Sequence, residues 1–313
     1  MTTSTATRPA EQQQQKFVRK GNPISRGTTP LALGMLAPAG ILMIIFLIVP
    51  IVLTLSLAFT NARLISPVPA RFIGLDNFVR LFESSTFWYS LLNTLIFAVV
   101  IVPLQSGLAL ILALLVNAKV RGTNFFRTVY FLPVVTSMVV VSMLFMFMYQ
   151  QDGLINALLA KVGITGPDWL GDPHFALGAL IVMSAWQGMG LHMVIWLSGL
   201  QTIPEELYEA AQIDGTTRWQ RFVNVTWPCL EQTRTFILIT ITIAAFAVFT
   251  QVNVMTQGGP LDATSTVVFL AVRAGFDQQQ TGYASAISLV FFALVLAVSL
   301  VQRHLTRDKE PQR

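Results

Sequence analysis

Six apolar runs, each long enough to cross a bilayer as a helix, constrain this 313-residue chain more than any other feature. Crossing the roughly 30 Å hydrocarbon core takes about 20 helical residues. The runs lie near Leu31 to Phe59, Leu91 to Val116, Thr128 to Tyr149, Phe175 to Leu200, Thr235 to Met255 and Tyr283 to Val301. The predicted fold is therefore all-α and integral to the membrane, with six transmembrane helices. Composition agrees: 54% of residues are hydrophobic and 11% charged, against roughly 25% charged in an average soluble domain. The first run is over-long and holds Pro38 and Pro50, which predicts a kink or a preceding half-helix.

Lys and Arg in alternate loops set the orientation. The N-terminal tail, the segments 117–127 and 201–234 and the C-terminal tail carry fifteen of them, and the opposite side carries five. Both termini and the 201–234 loop are thus expected in the cytoplasm. Residues 1–29 are polar, Gln-rich and punctuated by Pro and Gly, without a short apolar stretch and small-residue cleavage site. They are expected to form a flexible cytoplasmic tail rather than a signal peptide. A transmembrane domain over 30–304 and a short cytoplasmic tail over 305–313 complete the expected organisation.

Several kinds of chemistry are excluded. The +5 net charge is not gathered on one face of a soluble domain, so nucleic acid is not an expected partner. A single cysteine, Cys229, rules out an internal disulfide and a cysteine-based metal cluster. His174, His192 and His304 lack the spacing of a zinc site, and no metal is expected. Neither a Gly-x-x-x-x-Gly-Lys-Ser/Thr loop nor a Gly-x-Ser-x-Gly elbow occurs. No catalytic residue is expected, and ATP hydrolysis would belong to another polypeptide.

One long polar insert interrupts the apolar pattern on the cytoplasmic side, TIPEELYEAAQIDGTTRWQRFVNVTWP at 202–228. Thr202 stands three residues before Glu205, in the pattern of a capping box, with Pro204 in the first turn. Glu205, Glu206 and Glu209 suit the positive end of a helix dipole, and Leu207, Ala210 and Ala211 give a small, partly apolar surface. Asp214-Gly215 predicts the stop. A basic, aromatic second helix with Arg218, Trp219, Arg221 and Phe222 continues until Pro228 breaks the pattern. Such a helix–turn–helix is a candidate docking element, although an ordinary solvated hairpin between two spans has the same physical features.

The wording of this loop resembles the EAA loop of bacterial ABC importer permeases: Glu209-Ala210-Ala211, then Asp214-Gly215, then Phe222 and Pro228, at matching spacing. The resemblance implies that Glu206, Glu209, Ala210, Ala211, Asp214, Gly215 and Phe222 couple the chain to an ATPase subunit, in whose cleft the family's coupling helices sit. It extends to FIGLDNFVRLF at 72–82, NTLIFAVVIVPLQ at 93–105, RGTNFFRTVYFLPVV at 121–135, GLINALL at 153–159, TQGGP at 256–260 and GYASAISLV at 282–290. These stretches are similar to carbohydrate-uptake permeases of the maltose/glycerol-phosphate importer group, specifically to the six-span members, since no outer segment exceeds about 30 residues. The resemblance implies a bacterial inner-membrane subunit importing a sugar or polyol by alternating access. Its implied partners are a second similar permease, an ATPase dimer carrying ATP and Mg, an external substrate-binding protein and the bilayer.

Polar residues inside the spans are the remaining clue. Asn93, Gln105, Gln187, His192, Gln251 and Asn253 are costly in lipid and are expected to face the bundle or a cavity. Bonding to neighbouring helices and contact with substrate both satisfy that requirement. His192 and Trp196, four apart, share one face of the fourth run; Gln187, His192, Trp196, Gln251 and Asn253 are the candidate substrate-pathway residues. An aromatic face beside hydrogen-bonding groups suits a sugar, while the same aromatics also suit a lipid interface. The alternative function is a self-sufficient secondary transporter or channel. Against it, no Asp, Glu, Lys or Arg lies well inside a run, so an ion relay lacks its usual groups.

Overall fold

A computed structural model describes residues 25–118 and 123–307. Most of the expected tails at 1–29 and 305–313 lies outside the described residues, as do positions 121–122. Every regular element among the described residues is helical, and one isolated bridge pairs Thr60 with Phe72.

Two compact units divide the chain, residues 1–53 and 54–313. The first holds α1 (Ser25–Met43), so positions 25–29 are already helical. A π-helical turn at Ile44–Ile48 joins α1 to α2 (Val49–Leu57). That wider turn stands just ahead of Pro50, whose ring lacks an N–H and crowds the carbonyl four residues back.

In the second unit α3 (Asp76–Glu83) is a short amphipathic helix with apolar Leu81 buried. Beyond it come α4 (Ser85–Asn117), α5 (Thr123–Val135), α6 (Met138–Met148), α7 (Leu154–Lys161) and α8 (Pro173–Gln201). The start of α8 is capped by Asp172, which accepts from the His174 N–H at 2.8 Å. That bond, and then the His174 side chain, hold the Asp172 carboxyl below the usual carboxylate range, so the cap is lost only as pH falls through that depressed value. The loop elements come next: α9 (Glu205–Ile213), α10 (Arg218–Arg221), a π turn at Phe222–Thr226 and α11 (Trp227–Cys229). The chain closes with α12 (Glu231–Phe246), α13 (Thr250–Met255), α14 (Val267–Val272), a π turn at Arg273–Asp277, and α15 (Thr281–Arg307).

Among the described residues five helices are long and apolar enough to cross a membrane, or six if the bent pair of α5 and α6 is one span. The third run is therefore not a continuous helix, as the sequence pattern implied: it bends by 103° between Val135 and Met138. Pro133 removes a rung of the helical ladder, and Ser137 takes an extended ψ of 134°. Non-helical backbone at membrane depth is tolerated only where protein or a watery cavity covers it. The fifth run, Thr235 to Met255, is interrupted as well, at Ala247 to Phe249, where the Thr266 hydroxyl donates to the freed Val248 carbonyl at 3.0 Å.

Lipid is as apolar as leucine, so helices associate in it through close packing and interhelical hydrogen bonds. The core lies where α4 meets α8 and α12, around Phe97, Ile101, Leu180, Met193, Trp196 and Ile237. Glycine makes the closest approach possible: a Cβ at Gly190 would collide with the Tyr130 carbonyl of α5. A second cluster, including Leu81, Phe87, Val267, Tyr283 and Ile287, packs α3, the start of α4, α14 and α15 together. Polar side chains stitch the intervening segments to these helices. Asn93 donates to the Asp262 and Ser265 carbonyls at 2.9 and 3.0 Å, and Asn156 accepts from the Trp169 indole at 2.7 Å.

Candidate functional site

The insert at 202–228 starts differently from its sequence pattern. Thr202 caps the end of α8, with its N–H and hydroxyl both donating to the Gly199 carbonyl, at 3.2 and 2.8 Å. Its backbone is helical, φ −85° and ψ −10°, whereas a residue capping a helix start is extended. Pro204, with ψ 134°, stands at the head of α9 without a side-chain cap. The capping box lies one helix later. Thr217 Oγ1 accepts from the Gln220 N–H at 3.3 Å, and Gln220 Oε1 accepts from the Thr217 N–H at 2.8 Å.

At its far end α9 closes in a complete Schellman motif. The Gly215 N–H reaches the Gln212 carbonyl at 3.0 Å, and the Thr216 N–H reaches the Ala211 carbonyl at 3.1 Å. Gly215 has φ +71°, in the region that disfavours a side chain, yet a Cβ there would meet nothing within 4 Å. The chain itself leaves that side of the turn open.

Helical spacing gives α9 two faces. Glu206, Glu209, Ala210 and Ile213 fall on one exposed side, continued by exposed Asp214 and Gly215. The opposite side is tied down: the Tyr208 and Thr226 hydroxyls are 3.0 Å apart, and Ala211 is buried. Phe222 is half-buried, stacked on Trp219 with ring centres 5.7 Å apart and 6.1 Å from Trp227. Ala211 and Phe222 thus build the loop, while Glu206, Glu209, Ala210, Asp214 and Gly215 face outward. Sequence reasoning passed over Ile213, an apolar side chain 86% exposed. Its position, three residues beyond Ala210 on the same helical face, is the signal that could have found it. Pro228 does not end the basic helix, because the π turn at Phe222–Thr226 widens the ladder ahead of its ring.

The candidate pathway residues do not form one stripe. His192 is buried, its Nδ1 3.0 Å from Gln105 Nε2 and 2.9 Å from the Gly188 carbonyl. Gly188 permits this: a Cβ would occupy the space of the Gln105 amide. Trp196 is 1% exposed and packed in the core, with its indole N–H buried and unpaired. The shared face of His192 and Trp196 is therefore turned into the chain's own helix packing, not onto an open surface. Gln251 is also buried and donates to Ser184 Oγ at 3.2 Å. Gln187, half-buried and one turn past Ser184, and Asn253, exposed and two residues past Gln251, flank that contact. Trp186 lies alongside, its ring 5.2 Å from Phe145 of α6.

Residues 105–310 match the family described as binding-protein-dependent transport system inner membrane component. The chain belongs to that family. It is 37% identical over 280 residues to the lactose transport system permease protein LacF of Rhizobium radiobacter, covering 88% of this chain and 93% of that one. Identity to the trehalose/maltose transport system permease protein MalF of Thermococcus litoralis is 33% over 269 residues, 85% and 90% of the two chains. Among solved structures, a chain of the bacterial alginate ABC transporter, in complex with its alginate pentasaccharide-bound periplasmic protein, superposes with a TM-score of 0.79. That pair is 26% identical, and the match covers 89% of this chain and 94% of the other. This inner-membrane component therefore shares its fold along nearly its whole length with a chain of an ABC transporter.

Proposed function

We propose that this permease takes up a sugar or related polyol as one half of the membrane passage of an ATP-binding-cassette importer. Carbohydrate appears in the names of relatives that match nearly end to end. A second permease, homologous to this chain, forms the other half, an external binding protein delivers the solute, and an ATPase dimer holding ATP and Mg drives the cycle. Alternating access results if closure of the dimer draws the two coupling loops together and the attached spans exchange their open side. The observation that carries this reading is the outward face of α9, acidic and small, with Ile213 projecting and Gly215 leaving the turn bare. Half-buried Gln187 on α8 and exposed Asn253 in the interrupted fifth run, flanking the Gln251–Ser184 contact, are the residues best placed to meet solute between two permeases.

Two measurements test the reading. The purified permease alone is expected to hydrolyse no ATP above a mock preparation, and to support hydrolysis only when co-expressed with its ATPase; turnover by the lone chain contradicts the division of labour. Orientation is tested after replacing Cys229 with serine. Cysteines at Lys20 and Glu310 are expected to be shielded from a membrane-impermeant thiol reagent in intact cells, and one at Asp262 to be labelled. Labelling at either terminus in sealed cells reverses the assignment.

A further inference from the structure

We propose that a groove between the end of α4 and the α10 turn binds one anionic phospholipid, with the phosphate on arginines and an acyl chain along α4. The groove has a volume of 810 Å³ and two unlike walls. Leu110, Ile111 and Leu114 of α4 form an apolar wall, and Arg218, Trp219 and Arg221 form a basic, aromatic rim. Among the described residues no carboxylate lines it, and neither arginine forms an ion pair with one of them. The Arg221 Nε is buried and lacks a hydrogen-bond partner. A guanidinium N–H removed from water and left unpaired is costly, more so than a neutral donor.

The two walls together select the ligand. A phosphodiester matches the planar fork of arginine. Inorganic phosphate would satisfy the rim but leave the α4 wall against water. That wall belongs to a span: Ile111 is 56% exposed on the same helix that crosses the bilayer. Trp219, 71% exposed, and Trp227, with the Arg234 guanidinium 4.7 Å over its ring, have the composition of a membrane–water boundary. Basic pockets between spans are where anionic headgroups bind. The groove is separate from the outward face of α9, so the inference goes beyond the transport reading and does not depend on ATPase docking.

The test uses the whole permease complex, stripped of lipid in neutral detergent and reconstituted in nanodiscs of phosphatidylcholine mixed with phosphatidylglycerol. After re-extraction, lipid retained per complex is counted by mass spectrometry. Wild type is expected to retain phosphatidylglycerol in preference to phosphatidylcholine, and Arg218→Gln with Arg221→Gln to lower that preference by at least about tenfold. Arg218→Lys with Arg221→Lys keeps the charge and is expected to keep most of the preference, which separates charge from folding. Millimolar inorganic phosphate is expected to displace nothing. Equal phosphatidylglycerol retention in wild type and the glutamine variant, loss of it in the lysine variant, or displacement by phosphate would each overturn the proposal.

Discussion

Gly215→Asp is expected to leave the permease in the membrane at near-normal amounts while releasing the ATPase subunit, and transport with it. The local cost is backbone strain alone. A side chain at φ +71° costs roughly 1–2 kcal/mol, and because a Cβ meets no neighbour within 4 Å, nothing in the chain has to move. An exposed turn of this kind absorbs that loss, whereas a partner surface pressed against it does not. Glu209→Lys reverses a charge on the same exposed face, without touching the Tyr208–Thr226 tie that holds α9 in place, and is expected to act in the same direction. Co-purification at equal membrane abundance decides the matter. Wild-type ATPase stoichiometry in both variants would show that this face is not the docking element, and a parallel fall of permease and ATPase would reduce Gly215 to a helix stop.

Trp196→Ala is expected to act on the opposite link, emptying the core where α8 packs against α4 and α12. Truncating a buried tryptophan typically costs roughly 3–5 kcal/mol. The lower end applies here, since lipid replaces water as the reference for the apolar part of the loss. Folded permease recovered from the membrane should drop severalfold. Trp196→Phe keeps most of the packing and removes an indole N–H that is buried without a partner, which relieves a cost of about 1–3 kcal/mol. Its amount and thermal stability are expected to match or exceed wild type. A Trp196→Ala variant with normal abundance and altered solute affinity would instead put this residue in the passage.

Apolar run length is a local property tied to bilayer thickness, so the all-helical membrane fold was legible without coordinates. Chain stereochemistry is local too, and Asp214-Gly215 announced the Schellman stop that the α9 hydrogen bonds complete. Thr202 was misleading because two helix ends compete for it. Its hydroxyl caps the end of α8, and the extended backbone of Pro204 then moves the start of α9 beyond its reach. The 103° bend after Val135 left only Pro133 as a trace, since continuous hydropathy does not report a backbone break.

The sequence by itself therefore determined whatever depends on neighbours along the chain: span length, charge asymmetry, the glycine stop and the wording of the loop. Which way a polar or aromatic side chain faces was decided by tertiary structure alone. His192 and Trp196 share a helical face in either view, but only the approach of α4, with Gln105 filling the space beside Gly188, turns that face inward. The same packing leaves Gln187 half-buried and Asn253 exposed. Helical periodicity fixes which residues lie on a common face; the partner helix that covers that face comes from a distant part of the chain, and in lipid no difference in hydropathy between core and surroundings marks it in advance.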